Sequence, residues 1–211
     1  MSGHPSSNAP AQLHAPPGPD PLVAFHRWLE EAREHGKMEY PNAMTLATVD
    51  GDGRPDARIV LLKELDQRGF VFYTNYRSAK GRQLAGRGVA SLVFYWDAMG
   101  RQVRTRGPVE RVSAEESDAY FASRPRGSRL GAWASEQSRV LTGREELEAR
   151  LESVSEQYDG REAIPRPPHW GGFLLRPREV EFWQAGAFRL HDRFLYRRQE
   201  EGDWSVVRLS P

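Results

Sequence analysis

The segment from residue 181 to residue 193 carries four side chains that suit a planar, phosphorylated ligand: Trp183, Arg189, His191 and Arg193. Arginines bind anions through paired N–H donors, an imidazole can donate or accept a hydrogen bond, and a flat indole can pack on a ring. Taken alone, the same segment is also compatible with a surface hairpin that carries ordinary charges.

Two more basic clusters lie upstream, at residues 58–63 and 123–128. Arg58 and Lys63 bracket an apolar strand, and residues five apart on a regular strand point to opposite faces. They would therefore serve different anions, unless Lys63 lies past the strand end. An exposed arginine and a turn lysine are the simpler alternative.

The third cluster combines Tyr120, Arg124 and Ser128, spaced four and four. Pro125 rules out one continuous helix, so we expect Tyr120 on the last helical turn, Arg124 at its end and Ser128 in a loop that folds back. A phenol, a guanidinium and a hydroxyl that converge there would bind a phosphate. A basic helix terminus that complements the helix dipole explains the pattern equally well.

Residues 73–80 join a predicted strand to a predicted helix start. The hydroxyls of Thr74 and Ser78, the free amides of the helix and the Lys80 ammonium would form a phosphate cradle. Simple capping by Ser78 beside an exposed lysine is the alternative. Gln102, Gln137 and Ser138 could hydrogen-bond a heteroaromatic ring, although such residues are usually just solvated. Residues 169–172 are expected to pack on the barrel and receive no chemical role.

Composition limits the function classes. The 211 residues suit one domain, and 30 Lys plus Arg against 29 Asp plus Glu argue against a general nucleic-acid binder. The absence of cysteine excludes disulfides and thiolate chemistry, and no metal site is expected. No apolar run approaches the roughly 20 residues that cross a bilayer, and no secretory signal is recognisable, so we expect a soluble, cytoplasmic protein.

The pattern of elements predicts a disordered tail over residues 1–19 and a single domain over residues 20–211. A helix begins at Asp20-Pro21 and stops at Gly36. The other predicted helices cover residues 78–85, residues 115–123 and a segment that Thr142 and Glu145 cap, with an apolar stripe of core character. Strands are predicted at 44–49, 57–62, 69–74, 89–96, 101–112 (interrupted at Gly107-Pro108), 173–175, 180–183, 194–197 and 204–209. Local hairpins with few helical crossovers favour a mainly β, antiparallel barrel with flanking helices.

Taken in order, these clusters resemble the pyridoxine/pyridoxamine 5′-phosphate oxidase family. The resemblance runs from about Asp20 to Pro211. It rests on segments 58–63 (RIVLLK), 70–75 (FVFYTN), 101–103 (RQV), 120–128 (YFASRPRGS), 131–134 (GAWA), 137–138 (QS), 181–184 (EFWQ), 189–193 (RLHDR) and 208–211 (RLSP). It implies a homodimeric, FMN-binding split barrel with each flavin between the subunits.

The resemblance also implies roles for individual residues. Arg58 and Lys80 would hold the FMN phosphate, with help from Thr74 and Ser78. The rest of the flavin site would comprise Ile59, Val60, Leu61, Tyr73, Gln102, Gln137, Ser138, Trp183 and Arg193. The substrate phosphate would be bound by Lys63, Tyr120, Arg124 and Ser128. Arg189 and His191 would face the pyridine ring as orienting groups in catalysis.

The implied reaction belongs to vitamin B6 biosynthesis and salvage: a hydride passes from the substrate C4′ to flavin N5, and O2 reoxidises the flavin. Pyridoxal 5′-phosphate and hydrogen peroxide are the products. Two alternatives stay open, a phenazine-biosynthesis oxidase of the same fold and a non-catalytic module that binds FMN or pyridoxal phosphate. The chain departs from the family pattern at Ala79, where an arginine is common and Arg77 lies nearby. It also shows no counterpart, before Asp20, of the arginine and tyrosine that close over the substrate.

Overall fold

The computed structural model describes residues 12–211 and folds them into five α-helices and ten strands. The helices are α1 (Pro21–Glu34), α2 (Ala79–Arg87), α3 (Ala114–Ser123), α4 (Arg126–Ala134) and α5 (Arg144–Gln157). The strands are β1 (Ala43–Val49), β2 (Pro55–Leu61), β3 (Glu64–Asp66), β4 (Gly69–Asn75), β5 (Val89–Trp96), β6 (Arg101–Arg111), β7 (Trp170–Leu175), β8 (Glu179–Gln184), β9 (Asp192–Arg198) and β10 (Trp204–Leu209).

Every strand pair is antiparallel, which confirms the predicted mainly β fold with flanking helices. Seven strands follow the order β10-β9-β8-β6-β5-β1-β2, while β4 pairs with β3 and β7. β6 joins the two parts, because its last residues leave β8 and pair with β7 instead. The sheet therefore curls into a half-barrel around one large core.

The predicted interruption of β6 at Gly107-Pro108 is wrong. The strand is continuous, and Pro108 retains a useful carbonyl that accepts the Arg176 N–H at 2.9 Å. Gly107 is required for a different reason: a Cβ there would lie 1.9 Å from the Arg176 carbonyl oxygen. The glycine allows the β7–β8 connection to pass against the strand.

The first helix is as predicted, since the Asp20 carboxylate accepts the Leu22 amide and Pro21 occupies the first turn. Its buried face enters an aromatic core. Phe25 lies 5.0 Å from Phe70, measured between ring centroids, and Trp28 lies 4.9 Å from Phe182. Burial of each such side chain contributes roughly 1.5–3 kcal/mol, so α1 closes one side of the barrel firmly.

Two predictions about the later helices are wrong. Ser128 lies in α4 and not in a loop, because Arg124 and Pro125 are both extended and turn the chain from α3 directly into a new helix. α5 begins after Gly143, and Thr142 pairs with Glu146 instead of Glu145. No residue of α5 is buried, so its expected core stripe contributes only partial packing.

Residues 1–11 of the predicted tail lie outside the described residues. The remainder contacts the barrel: the Leu13 amide donates to Asp192 Oδ2 at 2.9 Å, and the Tyr196 hydroxyl donates to the Gly18 carbonyl at 2.6 Å. These bonds hold residues 12–19 against β9. Within residues 12–211, no helix has the length and apolar character needed to cross a membrane.

Candidate functional site

A cavity of about 620 Å³ opens where β2, β4, the start of α2, the α3–α4 junction and β7 meet. Eleven of the predicted site residues line it, ten from three distant clusters and Gln137 from a fourth segment: Ile59, Val60, Leu61, Lys63, Tyr73, Thr74, Lys80, Tyr120, Arg124, Ser128 and Gln137. β2 ends at Leu61, so Lys63 lies past the strand end, where strict alternation no longer applies. Cationic side chains from separate parts of the chain therefore line one cavity.

One pole of the cavity is built around Lys80 at the start of α2. Its ammonium donates to the Gln137 side-chain oxygen at 3.1 Å. Burial, and secondly the positive charge of Arg58, lowers the pKa of Lys80. A half-buried cation beside a second cation is a favourable place for an anion, which would offset both the desolvation of Lys80 and its repulsion from Arg58.

Arg58 does not line the cavity itself. Its guanidinium donates to Thr48 Oγ1 at 2.6 Å and to Gln83 Oε1 at 3.0 Å, and it pairs with Asp56 at 2.5 Å. These bonds fix the guanidinium behind Lys80. Arg58 therefore contributes charge to this pole from a fixed position.

The polar groups at the α2 start are largely engaged with one another. The buried Ser78 hydroxyl donates to the Asn75 carbonyl at 2.7 Å and accepts the Gly81 amide at 3.2 Å, so it is a helix cap. The Ala79 amide donates to the Ser138 hydroxyl at 3.2 Å, and Ser138 has a left-handed φ of 70°. The 137–138 segment thus crosses directly over the helix N-terminus.

A second pole of the cavity is built around Arg124. Its Cζ lies 4.6 Å from the Trp170 ring centroid and 5.5 Å from that of Phe121. Its Nη1 is buried and has no hydrogen-bond partner among the described residues. Burial lowers the pKa of Arg124, although the group stays charged at neutral pH. A half-buried guanidinium with one buried, unpaired nitrogen is costly unless an anion binds to it.

Other residues frame this pole. Tyr120 stacks on Tyr73 with 3.9 Å between ring centroids, and the Lys63 ammonium lies 5.9 Å from the Tyr120 ring. Ser128 lies in the first turn of α4, on the cavity wall. Within one subunit, a phenol, a hydroxyl and two cations thus line the same cavity.

The remaining predicted site residues form a second group on β6, β8, β9 and the β8–β9 connection, and none of them lines the cavity. Gln102, Trp183 and Arg193 are neighbours across three strands. The His191 ring lies 4.6 Å from Trp183, and its Nδ1 accepts the Gly186 amide at 3.1 Å. That bond leaves Nε2 as the protonated nitrogen of the neutral ring.

The turn before His191 is strained and open. Phe188 and Arg189 have left-handed φ values of 54° and 62°, and Phe188 is 94 % exposed. Such backbone is uncommon for non-glycine residues and is often found at functional sites. The turn presents Arg189 outward from the subunit.

Glu181, which the sequence analysis gave no role, anchors the second group. It is 3 % exposed and accepts bonds from Arg193 at 2.8 Å and from Arg104 at 2.5 Å. Burial alone would raise the pKa of this carboxyl, but the hydrogen bonds from Arg193 and Arg104 outweigh burial and lower it. Glu181 therefore holds Arg193 as a charged, oriented group.

Sequence reasoning also missed six residues that line the cavity: Asn75, Pro125, Gly131, Ala132, Ser135 and Trp170. Trp170 was expected only to pack on the barrel. The glycines that follow it carried a usable signal, since a Cβ at Gly172 would lie 2.8 Å from the Tyr73 ring. β7 thus needs glycine in order to pack against the aromatic wall of the cavity.

Comparison with known proteins gives consistent matches. Residues 30–158 match the family described as pyridoxamine 5′-phosphate oxidase, and residues 170–211 match the pyridoxine 5′-phosphate oxidase C-terminal dimerisation region. A pyridoxine/pyridoxamine 5′-phosphate oxidase of Gloeothece citriformis is 58 % identical over 92 % of this chain and 89 % of its own. One from Burkholderia lata is 58 % identical over 91 % and 89 %.

Solved structures add a second relationship. PhzG from Burkholderia lata 383, in complex with tetrahydrophenazine-1-carboxylic acid, superposes with a TM-score of 0.85 at 35 % identity, over 92 % of this chain and 94 % of PhzG. An FMN-binding protein of Nostoc punctiforme, described as related to pyridoxamine 5′-phosphate oxidase, gives a TM-score of 0.72 at 22 % identity, over 90 % and 96 %. The second match concerns the fold alone.

Proposed function

The chain belongs to the pyridoxine/pyridoxamine 5′-phosphate oxidase family, and we propose that it is an FMN-dependent oxidase of B6 phosphates. It converts pyridoxamine 5′-phosphate, pyridoxine 5′-phosphate or both to pyridoxal 5′-phosphate, with O2 as electron acceptor and hydrogen peroxide as product. The observation that carries this proposal is the two-pole cavity, in which Lys80 and Arg124 are separate cationic centres. Two phosphorylated aromatic molecules require two such centres.

The Lys80 pole fits the FMN phosphate. Its ammonium is depressed in pKa by burial and by Arg58, and the α2 N-terminus adds the positive end of a helix dipole. Thr74 and Gln137 supply neutral polar groups beside it. When bound there, FMN supplies the two-electron redox chemistry and the reaction with O2.

The Arg124 pole fits the substrate phosphate. Arg124 and Lys63 supply charge, while Tyr120 and Ser128 supply hydroxyls. Arg189 and His191 orient the pyridine ring, with the His191 tautomer fixed by its bond from Gly186. The contribution of these residues is to position the substrate and exclude water, and no general base is required of them.

A homodimer completes the site. Apart from Gln102, the second group, with its outward-facing Arg189 and the exposed Phe188 beside it, lies within the part of the chain that matches a dimerisation region. We infer that Trp183, Arg189, His191 and Arg193 of the partner cover the cavity of the first subunit. This arrangement explains why one subunit holds the two groups apart.

A phenazine-type oxidase is the second candidate, and the high structural similarity to PhzG favours it. That chemistry needs no substrate phosphate. The retention of Lys63, Tyr120, Arg124 and Ser128 around one pole therefore supports the B6 phosphate reaction instead. A module that binds FMN without turnover is the third possibility.

Purified protein should be yellow, with the flavin absorption bands, and should release peroxide when pyridoxamine 5′-phosphate is added under air. Tetrahydrophenazine-1-carboxylic acid, the compound bound to PhzG, serves as the comparison substrate. Oxidation of the phenazine compound alone would favour the second candidate, and flavin uptake without peroxide from either compound would favour a binding module. A colourless protein that takes up no FMN would contradict all three.

A further inference from the structure

Arg124 is held in an unusual way for a half-buried cation. Most buried arginines pair with a carboxylate, but Nη1 of Arg124 has no hydrogen-bond partner among the described residues. Its guanidinium instead lies over the Trp170 ring at 4.6 Å and near the Phe121 ring at 5.5 Å. An aromatic face attracts a cation without neutralising its charge.

Trp170 is itself fixed on several sides. It is 7 % exposed, its amide donates to the Pro167 carbonyl at 3.0 Å, and its carbonyl accepts Arg166 Nη1 at 2.6 Å. Arg166 also bonds Asp118 on α3 at 2.7 Å, which joins the start of β7 to the helix that ends at Arg124. The indole is therefore a rigid platform.

The platform extends into the cavity wall. The Trp170 ring is nearly parallel to Tyr73, with centroids 5.5 Å apart at 11°, and to Tyr120, at 6.2 Å and 6°. The position of Trp170 thus also bears on Tyr120, the phenol beside the same pole. One aromatic residue contacts both the cation and the side chains that surround the anion position.

We propose that Trp170 is a positioning residue for the substrate phosphate: its indole face holds Arg124 in place of a carboxylate, so that the guanidinium keeps its full charge for a phosphate monoester. This inference rests on the proposed function and deepens it. A carboxylate at the same place would fix Arg124 equally well but would compete with the incoming phosphate. The ring provides orientation without that competition.

The test compares Trp170→Met, which keeps an apolar side chain without a π face, with Trp170→Phe, which keeps a smaller face. For Trp170→Met holoenzyme we expect KM for pyridoxamine 5′-phosphate to rise about tenfold, the size expected for a desolvated cation–π contact. We expect kcat to change much less, and KM for unphosphorylated pyridoxamine to stay unchanged. Trp170→Phe should show the same selective shift at a fraction of the size.

Two controls separate positioning from general damage. Trp133→Met removes an indole from the same cluster, where Trp133 packs against Tyr158 and His169, and should leave the phosphate preference unchanged. In an Arg124→Ala background, Trp170→Met should have no further effect on the phosphate preference, because the group that it positions is gone. If Trp170→Met does not fold, the Phe variant and its double mutant carry the test.

A binding readout keeps this inference separate from the proposed function. Inorganic phosphate should bind to the wild-type FMN-loaded protein, and about tenfold more weakly to FMN-loaded Trp170→Met. Calorimetry measures both affinities without turnover. If the wild type fails to oxidise B6 phosphates but still binds phosphate more tightly than Trp170→Met does, the proposed function is wrong and the inference stands. If Trp170→Met lost affinity equally for phosphorylated and unphosphorylated ligands, or lost no affinity at all, the inference would be overturned.

Discussion

At the scale of single residues, Lys80 and Arg124 are the two cations that matter most, and their surroundings differ. Lys80 has a polar neighbour in Gln137 and a second cation in Arg58, whereas Arg124 lies against aromatic rings. The first environment suits a permanently bound phosphate. The second environment keeps the charge of Arg124 available for a ligand that binds and dissociates.

Exchange of each cation should therefore produce different defects. Arg124→Ala should raise KM for pyridoxamine 5′-phosphate at least tenfold and leave flavin content intact, because a charged hydrogen bond is worth about 1.5–3 kcal/mol. Lys80→Ala and Arg58→Ala should mainly lower FMN affinity. Steady-state kinetics and flavin absorbance per subunit measure the two effects. If the defects were interchanged, or both absent, the assignment of the poles would be wrong.

Glu181 should control both stability and its acid dependence. The folded-state pKa is lowered below its ordinary value of 4.5, so the stabilisation is complete above that value and is lost as the pH falls through the folded pKa. Glu181→Gln should cost about 2 kcal/mol at neutral pH, since Arg193 and the half-exposed Arg104 lose their anion. It should also flatten the acid limb of the stability curve.

Denaturant unfolding between pH 3 and pH 7 gives the measurement for Glu181. Glu179→Gln is the matched control, because Glu179 lies on the same strand as Glu181. It also pairs with two arginines, Arg106 and Arg197, but its side chain is more exposed. The control should lose less stability than Glu181→Gln. Equal losses in the two variants would show that burial of Glu181 has no special importance.

At the scale of elements, the start of α2 serves structure and ligand together. The Ser78 hydroxyl caps the helix that carries Lys80, and Ser113 caps α3 with its own capping box. Ser78→Ala and Ser113→Ala should each cost about 1 kcal/mol in unfolding free energy. Only Ser78→Ala should also weaken FMN binding, measured by flavin titration of the apoprotein. A similar loss of FMN in both variants would contradict a local role for the α2 cap.

Local signals explain which elements could be predicted. Asp20-Pro21, and Ser113 with Glu116, give reliable helix starts because the capping bonds form within a few residues. α4 was missed because Gly127 and Gly131 weaken its helical signal and its start depends on the turn at Pro125. The short strand β3 was also missed, since three residues show no periodicity.

The site was less predictable from local pattern than the elements were. The joining of Lys63, Lys80 and Arg124 in one cavity depends on the closure of the barrel, which no local spacing encodes. It was expected only through the resemblance to a known family. Trp170 and Glu181 were missed because a buried aromatic next to glycine and an acidic strand residue look like ordinary structural positions.

At the scale of the whole molecule, the second group of site residues does not line the cavity of its own subunit, and the proposed homodimer would supply it from a second subunit. In the proposed homodimer each site combines the cavity of one chain with the second group of its partner. The two-fold axis then creates two equal sites. In that arrangement neither site is complete in an isolated subunit.

Mixed dimers test this sharing. Arg124→Ala and Arg189→Ala homodimers should both be weak, whereas random mixing of their subunits should restore about a quarter of wild-type activity, because half of the dimers then hold one intact site. Activity after joint refolding of the two variants is the measurement. Restoration would be absent if each site were built from a single chain.

In the proposed reaction, the cavity selects a phosphorylated pyridine as the molecule to be oxidised. The most direct measurement is the ratio of kcat/KM for pyridoxamine 5′-phosphate to kcat/KM for pyridoxamine, with formation of the aldehyde followed under air. With Lys63 and Arg124 both contacting the phosphate, we predict a ratio of at least about 100. A ratio near one, or turnover of neither compound by flavin-loaded protein, would contradict the account.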